Sequence, residues 1–362
     1  MNEISILVLT EDYPDNEGKV SLNYVHTRNI HYQADGIKVD NLSFSAKESY
    51  TIDGIKVLSL RDYEQTDRKY DLLLLHAANL RHHYKFLKSY GNRFMHFIFF
   101  FHGHEVMRIN KDYCKPYDYM KRNLLIECAQ NLYDVFKLCV WRRFFFKNAG
   151  KCSFVFVSEW MKAVFEKNIG NDLTSKVNCY ITYNSVGQVF EIQSFNDNEE
   201  KLFDFITIRS NLDGSKYAVD IVNKIAQDTP DGRFLIVGKG ELFNHIEKAD
   251  NILWLNKTLN HAAIIEYLNQ SRYALMPTRT DAQGLMMCEM AAFGIPVITS
   301  DIPVCHEVFD GFENAFFISN SELVSLNSFL DQESKCIKDS RYNCDKTTKT
   351  EINMIREIYE RL

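Results

Sequence analysis

The chain has 362 residues, a formal net charge of −6, 46% hydrophobic residues and 25% charged residues. That length exceeds one ordinary doubly wound domain and suits two. The fractions are those of a soluble globular protein, and the acidic balance excludes a molecule that holds nucleic acid by broad phosphate neutralisation.

Nine cysteines lie between Cys114 and Cys344, with no CxxC pair and no zinc-like Cys/His spacing, which reads as reduced thiols and no metal site. No signal peptide is visible, because the chain runs at once into a strand-like segment, Ile4–Thr10, flanked by acidic residues. The longest dense apolar stretch, Phe94–Phe101, is about a third of a membrane span. The expected location is cytoplasmic.

In chain order, strands are expected at Ile4–Thr10, Ile37–Phe44, Leu72–His76, Phe94–Phe101, Cys152–Val157 and Val177–Thr182, with helical patterns at Val20–Ala34 and Trp160–Lys167. Several of these strands are apolar almost throughout, the pattern of parallel strands covered on both faces. The polar segment Gln193–Lys201 has no periodicity and reads as a linker. Beyond it, strands are expected at Phe203–Ile208, Phe234–Val237, Ile252–Leu255, Tyr273–Met276, Pro296–Thr299 and Ala315–Ile318. Helices are expected at Lys216–Gln227, His261–Gln270 and Leu285–Phe293. The fold class is therefore α/β: two Rossmann-like, doubly wound domains facing across a cleft at the carboxyl ends of their strands. The divisions are a first Rossmann-like domain at residues 1–192, a linker at 193–201, a second Rossmann-like domain at 202–345, and a C-terminal helix at 346–362 that can cross back to the first domain.

The most informative segment is residues 277–308, PTRTDAQGLMMCEMAAFGIPVITSDIPVCHEV. Asp281 lies in the loop before a helix. Glu289 lies inside that helix, between Cys288 and Met290, where a carboxylate is costly without a partner or a ligand. The amides of Gly284, Leu285 and Met286 stand at the helix start, unsatisfied and at the positive end of its dipole, suited to a diphosphate or a sugar hydroxyl. Structural alternatives stand beside these readings: Asp281 as a helix N-cap, Glu289 as the partner of a buried Arg or Lys.

This segment resembles the signature of retaining GT-B glycosyltransferases, in particular family 4, with its two acids separated by seven residues and a following Gly-x-Pro-Val strand. Asp281 stands where that family usually has Glu. In FITIRSNLDGSKYAVD, residues 205–220, Arg209 and Lys216 match the family's Arg and Lys that grip the donor diphosphate, across a loop longer than usual. Gly238, in the segment FLIVGKGEL, matches the family's Gly-x-Gly strand end. His102 matches a histidine that contacts the donor sugar, with a satisfied strand-end histidine as the alternative. Gly18 matches a glycine-rich loop that admits diphosphate and acceptor. Ser158-Glu159 and Asn184 resemble strand ends of the family.

The resemblance implies transfer of a sugar from a nucleotide diphosphate sugar, a UDP-sugar favoured, to an acceptor hydroxyl, with retention and without a metal or other cofactor. The acceptor would be a glycan, a lipid-linked sugar or a protein, in bacterial polysaccharide, glycolipid or glycoprotein assembly. Two rival readings are a non-catalytic GT-B subunit that binds a glycan or a partner transferase, and another GT-B enzyme such as a nucleotide-sugar epimerase. The aromatic, basic stretch Leu132–Lys147 reads either as a core helix with Arg142 and Arg143 in water or as a peripheral contact with the membrane's inner face.

Overall fold

The computed structural model describes residues 3–19, 21–322 and 324–362. It divides into two compact units, residues 1–109 with 130–185 and 345–362, and residues 110–129 with 186–344. Neither unit is one continuous stretch of chain.

In the first unit, the strands β1 (Ser5–Thr10), β2 (Lys38–Ser43), β3 (Tyr50–Ile52), β4 (Ile55–Leu58), β5 (Leu72–His76), β6 (His96–Phe101), β7 (Cys152–Phe156) and β8 (Asn178–Ile181) form one sheet in the order β3-β4-β2-β1-β5-β6-β7-β8. All neighbours are parallel except β3 and β4. That pair is a hairpin closed by Asp53 and Gly54, at φ 46° and 81°. The Asp-Gly pair supplies the positive φ that such turns require. The sequence reading had no strand there, because β3 is only three residues long.

The helices α1 (Asn23–Ala34), α2 (His83–Tyr90) and α3 (Leu124–Lys147) follow β1, β5 and β6 in the chain. Of the helix expected at 20–34, Val20 lies outside the described residues. One side of the sheet carries Ile6, Val8, Leu72, Leu74, Ile98 and Phe100, packed with Val25 of α1 and with Ile355 and Ile358 of the C-terminal helix Cys344–Glu360. Each such side chain contributes about 1.5–3 kcal/mol of burial. The other side is aromatic: Phe99 meets Phe145 at 5.0 Å and Trp141 at 5.8 Å, both edge-on, and so fixes α3.

In the second unit, β9 (Phe203–Asn211), β10 (Phe234–Lys239), β11 (Ile252–Leu255), β12 (Ser271–Leu275), β13 (Val297–Ser300) and β14 (Ala315–Ile318) form a parallel sheet in the order β11-β10-β9-β12-β13-β14. The helices that matter here are α4 (Gln188–Ile192), α5 (Val219–Asp228) and α6 (Leu285–Phe293). Counted from β9, the strand order is that of a dinucleotide-binding sheet, and it reverses between β9 and β12. Such sheets bind ligands outside the carboxyl ends of the strands at that reversal. Residues 193–201 form no helix or strand.

Candidate functional site

The carboxyl ends of β9 and β12 meet at the switch point of the second unit. Arg209 stands near the end of β9, 5% exposed, and donates from its guanidinium to the carbonyl of Pro277, just past β12, at 2.8 Å. Its Nε has no hydrogen-bond partner among the described residues. Burial lowers its pKa, and the Asp281 carboxylate opposes that by favouring the charged form. A buried cation that lacks a carboxylate hydrogen-bond partner is costly unless something compensates it.

Lys216 was expected to open a helix; it lies instead in a 3₁₀ turn, Ser215–Tyr217, and α5 begins only at Val219. The cause is Ala218, whose φ of 53° breaks the run. Lys216 is half-buried, and its Nζ lies 4.7 Å from the Tyr217 ring centroid. Arg209 lies over the same ring at 5.1 Å. Tyr217 thus holds both cations together. Among the described residues, Lys216 forms no ion pair.

The helix α6 starts at Gly284, in the left-handed region at φ 73°, and no side chain caps it. Asp281 is therefore not its N-cap. The Asp281 carboxylate accepts instead from the amide of Ala282 at 2.8 Å. Leu285 and Met286 are partly exposed at this uncapped end, where first-turn amides have no helical acceptor. One turn further on is Glu289. Its carboxylate accepts the amide proton of Gly187, which precedes α4, at 3.2 Å. No Arg, Lys or His pairs with it among the described residues, which removes the ion-pair alternative. Burial pushes the Glu289 carboxyl up to about 7, with the Gly187 amide acting against that rise.

Gly238 is the penultimate residue of β10, against the Arg209 backbone. A Cβ there would lie 2.1 Å from the Arg209 carbonyl oxygen, at φ +152°. The absent side chain lets β10 pass close to the Arg209 backbone, so the glycine is required by packing alone.

In the first unit, His102 follows β6. Its Nε2 lies 3.1 Å from Nδ1 of His76, and its ring centroid is 5.0 Å from that of Tyr24. Burial, with the Arg28 charge, lowers its pKa, so the imidazole is neutral. The loop after it is fixed by buried Glu105, which accepts the amides of His102 and Gly103. Gly18 lies in the loop after β1 at φ +100°, with no atom within 4 Å of the position its Cβ would take. That space is open. Of the predicted residues, the structure brings Arg209, Lys216, Gly238, Asp281, Gly284, Leu285, Met286 and Glu289 to one edge of the second sheet. In the first unit, His102 lies directly past β6 and Gly18 within the loop that follows β1.

Residues 205–330 match the family model described as Glycosyl transferases group 1. Over 104 residues the chain is 35% identical to the O-antigen biosynthesis glycosyltransferase WclY of Escherichia coli, a stretch covering 25% of this chain and 30% of that protein. The chain thus spans about a third of the length of the curated relative it matches. Likeness over the whole chain comes from solved structures. A sucrose-phosphate synthase from Thermosynechococcus elongatus superposes with a TM-score of 0.73 at 11% identity, covering 99% of this chain and 100% of that one. The Anabaena protein HepE, solved in complex with UDP and glucose, gives 0.66 at 13% identity, with 98% and 100% covered. The fold is GT-B.

In this GT-B chain several site-building residues escaped the sequence reading. Arg279 clamps the long loop after β9: it donates to both Asp220 oxygens at 2.8 and 2.6 Å and to the Ser215 carbonyl at 2.7 Å. Its own amide donates to the Lys216 carbonyl at 2.8 Å. Residues 110–129 supply Tyr117 and Tyr119, whose hydroxyls donate to Asp220 at 2.7 Å and Asp213 at 2.8 Å. A charged residue in the PTRTD loop was a visible signal for Arg279. Nothing local marked the tyrosines, whose partners lie some hundred residues away.

Proposed function

We propose that the chain is a glycosyltransferase that moves a sugar from a nucleotide diphosphate sugar, a UDP-sugar favoured, to an acceptor hydroxyl with retention at the anomeric carbon. The observation that carries this is Glu289: a carboxylate largely withdrawn from water, without a cationic partner, one turn from an uncapped helix start. Ribose hydroxyls satisfy such a group, because each donates a charge-assisted hydrogen bond. Arg209, Lys216 and the amides of Gly284, Leu285 and Met286 then hold the diphosphate. As the glycosidic bond breaks, the leaving phosphate accepts the acceptor's proton while these donors hold its charge. Asp281 binds hydroxyls of the transferred sugar. In the same reading, Gly238 lies along the donor's path, and His102 and Gly18 of the first unit serve the sugar and the acceptor.

The two cations supply the charge that a metal supplies elsewhere, so the reaction is expected to run in the presence of a chelator. The short match to an O-antigen enzyme supports polysaccharide assembly, with a glycan or lipid-linked acceptor.

The test is a thermal-shift panel of UDP-, ADP-, GDP- and TDP-sugars, followed by turnover and by NMR of the product anomer. A specific donor raises the unfolding midpoint by mass action. Absence of any shift would reject the nucleotide site. Binding without turnover on any acceptor would favour a non-catalytic subunit, and an inverted anomer would reject retention.

A further inference from the structure

The helix α3 has two unlike faces within the first unit. Asp134, Lys137, Leu138, Trp141 and Phe145 are buried. On the opposite face, Leu132 is 73% exposed, Val135 53% and Phe136 61%, with Cys139 also exposed. Spacings of three and four place these residues on one stripe. The same stripe continues into Arg143 and Lys147. Scattered apolar residues at a surface need no explanation, but a contiguous helical row of large ones does.

Arg143 and Lys147 open onto a cavity of about 550 Å³, whose lining also includes Lys88 and Lys151. No acidic residue lines it. Lys151 donates to the Gly91 carbonyl at 2.9 Å and sits 4.8 Å from the Phe97 ring centroid, so it is fixed at the cavity wall. Among the described residues, Lys88, Arg143 and Lys147 form no ion pair. In an acidic chain, a cavity with four cations and no counter-charge is selective for an anion.

We infer that this face of α3 docks on an anionic phospholipid bilayer, with Leu132, Val135 and Phe136 entering the acyl boundary and the Lys88–Arg143–Lys147–Lys151 cavity receiving a lipid phosphate. Charge complementarity selects this occupant: an apolar row that runs into a basic cavity matches an interface where acyl chains meet phosphates. A second copy would present the same cations to themselves. No helix among the described residues is long and apolar enough to cross a membrane, so attachment is along the surface.

The experiment is co-sedimentation of the full chain with vesicles of phosphatidylcholine alone or with 30% phosphatidylglycerol, at low and high salt. Binding is expected only with phosphatidylglycerol, and weaker at high salt. Each cation near an anionic surface is worth about fivefold in affinity. Arg143→Glu with Lys147→Glu is therefore expected to lower binding by at least about tenfold, and Leu132→Ser with Phe136→Ser is expected to abolish it. Because all four positions are exposed, unchanged circular dichroism melts should accompany the losses. Equal binding to both vesicle types, or none, would overturn the inference. So would a dimer of the wild type that the Leu132→Ser, Phe136→Ser variant dissociates, since the face would then be covered by a second copy. Inorganic phosphate that displaces the protein from vesicles at matched ionic strength would likewise show the cavity to be a soluble-anion site. Nucleotide-sugar binding is unaffected in every arm, so failure here leaves the donor site standing.

Discussion

The guanidinium Nε of Arg28 lies 3.0 Å from both carboxylate oxygens of Glu351, and neither side chain reaches water. Glu351 also accepts from the hydroxyls of Tyr32 at 2.5 Å and Thr182 at 2.9 Å. The C-terminal helix is thereby tied to α1 and to the end of β8. Burial works against the Arg28 charge, but Glu351 together with Tyr32 and Tyr24 outweighs it, and the Arg28 pKa is raised. Glu351→Gln strands a buried cation, so the expected loss is about 3–5 kcal/mol of stability. Urea unfolding of the variant checks this; an unchanged midpoint would show that the pair holds nothing.

Glu289→Gln keeps the shape of the side chain and removes its charge. Nucleotide affinity is expected to fall by about 1.5–3 kcal/mol, the scale of hydrogen bonds to a charged group, while the fold persists. A lowered unfolding midpoint with unchanged affinity would assign Glu289 to structure.

The same carboxylate makes a pH prediction. Its folded pKa is raised from 4.5 to about 7 by burial. Below pH 4.5 it is protonated in both states and contributes no pH dependence. Between 4.5 and 7 the unfolded chain loses the proton while the folded chain keeps it, so stability falls, and above 7 the loss levels off. Ribose hydroxyls favour the ionised form, so nucleotide affinity should rise from pH 6 to 8. Calorimetric titrations at both pH values, in wild type and Glu289→Gln, read this directly. Equal pH slopes in the two proteins would refute it.

Arg209→Ala and Lys216→Ala are each expected to lower turnover by about two orders of magnitude, the scale of one preorganised charge donor. They should differ in stability. Arg209 is buried and bonded to Pro277, so its loss leaves a polar gap and lowers the unfolding midpoint; the half-buried Lys216 side chain gives up a contact with the Tyr217 ring and no hydrogen bond, so that variant should unfold nearly like wild type. Full activity in both variants removes them from the mechanism.

The glycines at 238 and 18 are expected to part company. Gly238→Ala drives a methyl into the Arg209 carbonyl and should destabilise by at least about 2 kcal/mol. Gly18→Ala meets no atom and carries only the strain of its positive φ, about 1 kcal/mol. Thermal unfolding distinguishes them; equal midpoints would show that the β10 approach is not tight.

The parallel strands were legible because burial on both faces leaves nearly continuous apolar runs, as in Phe97–Phe101. Glu289 was legible because a carboxylate inside an apolar helix is anomalous. The hairpin at 50–58 was not, since three polar-flanked residues carry no period. Nor was the division of α3: with apolar residues all round the helix, nothing in the sequence separates buried Trp141 and Phe145 from exposed Leu132 and Phe136. The Arg279–Asp220 pair was invisible for another reason: its partners are 59 residues apart and meet only at the switch point.

The discontinuity of the first unit sets an order of events during synthesis. Its opening strands leave the ribosome first, yet its core includes Ile352, Ile355 and Ile358. All of residues 186–344, the bulk of the second unit, are translated before those side chains exist. Domains fold as units when their residues are available. The unit begun first is therefore completed last, and until Glu351 emerges Arg28 has no counter-charge to fold around.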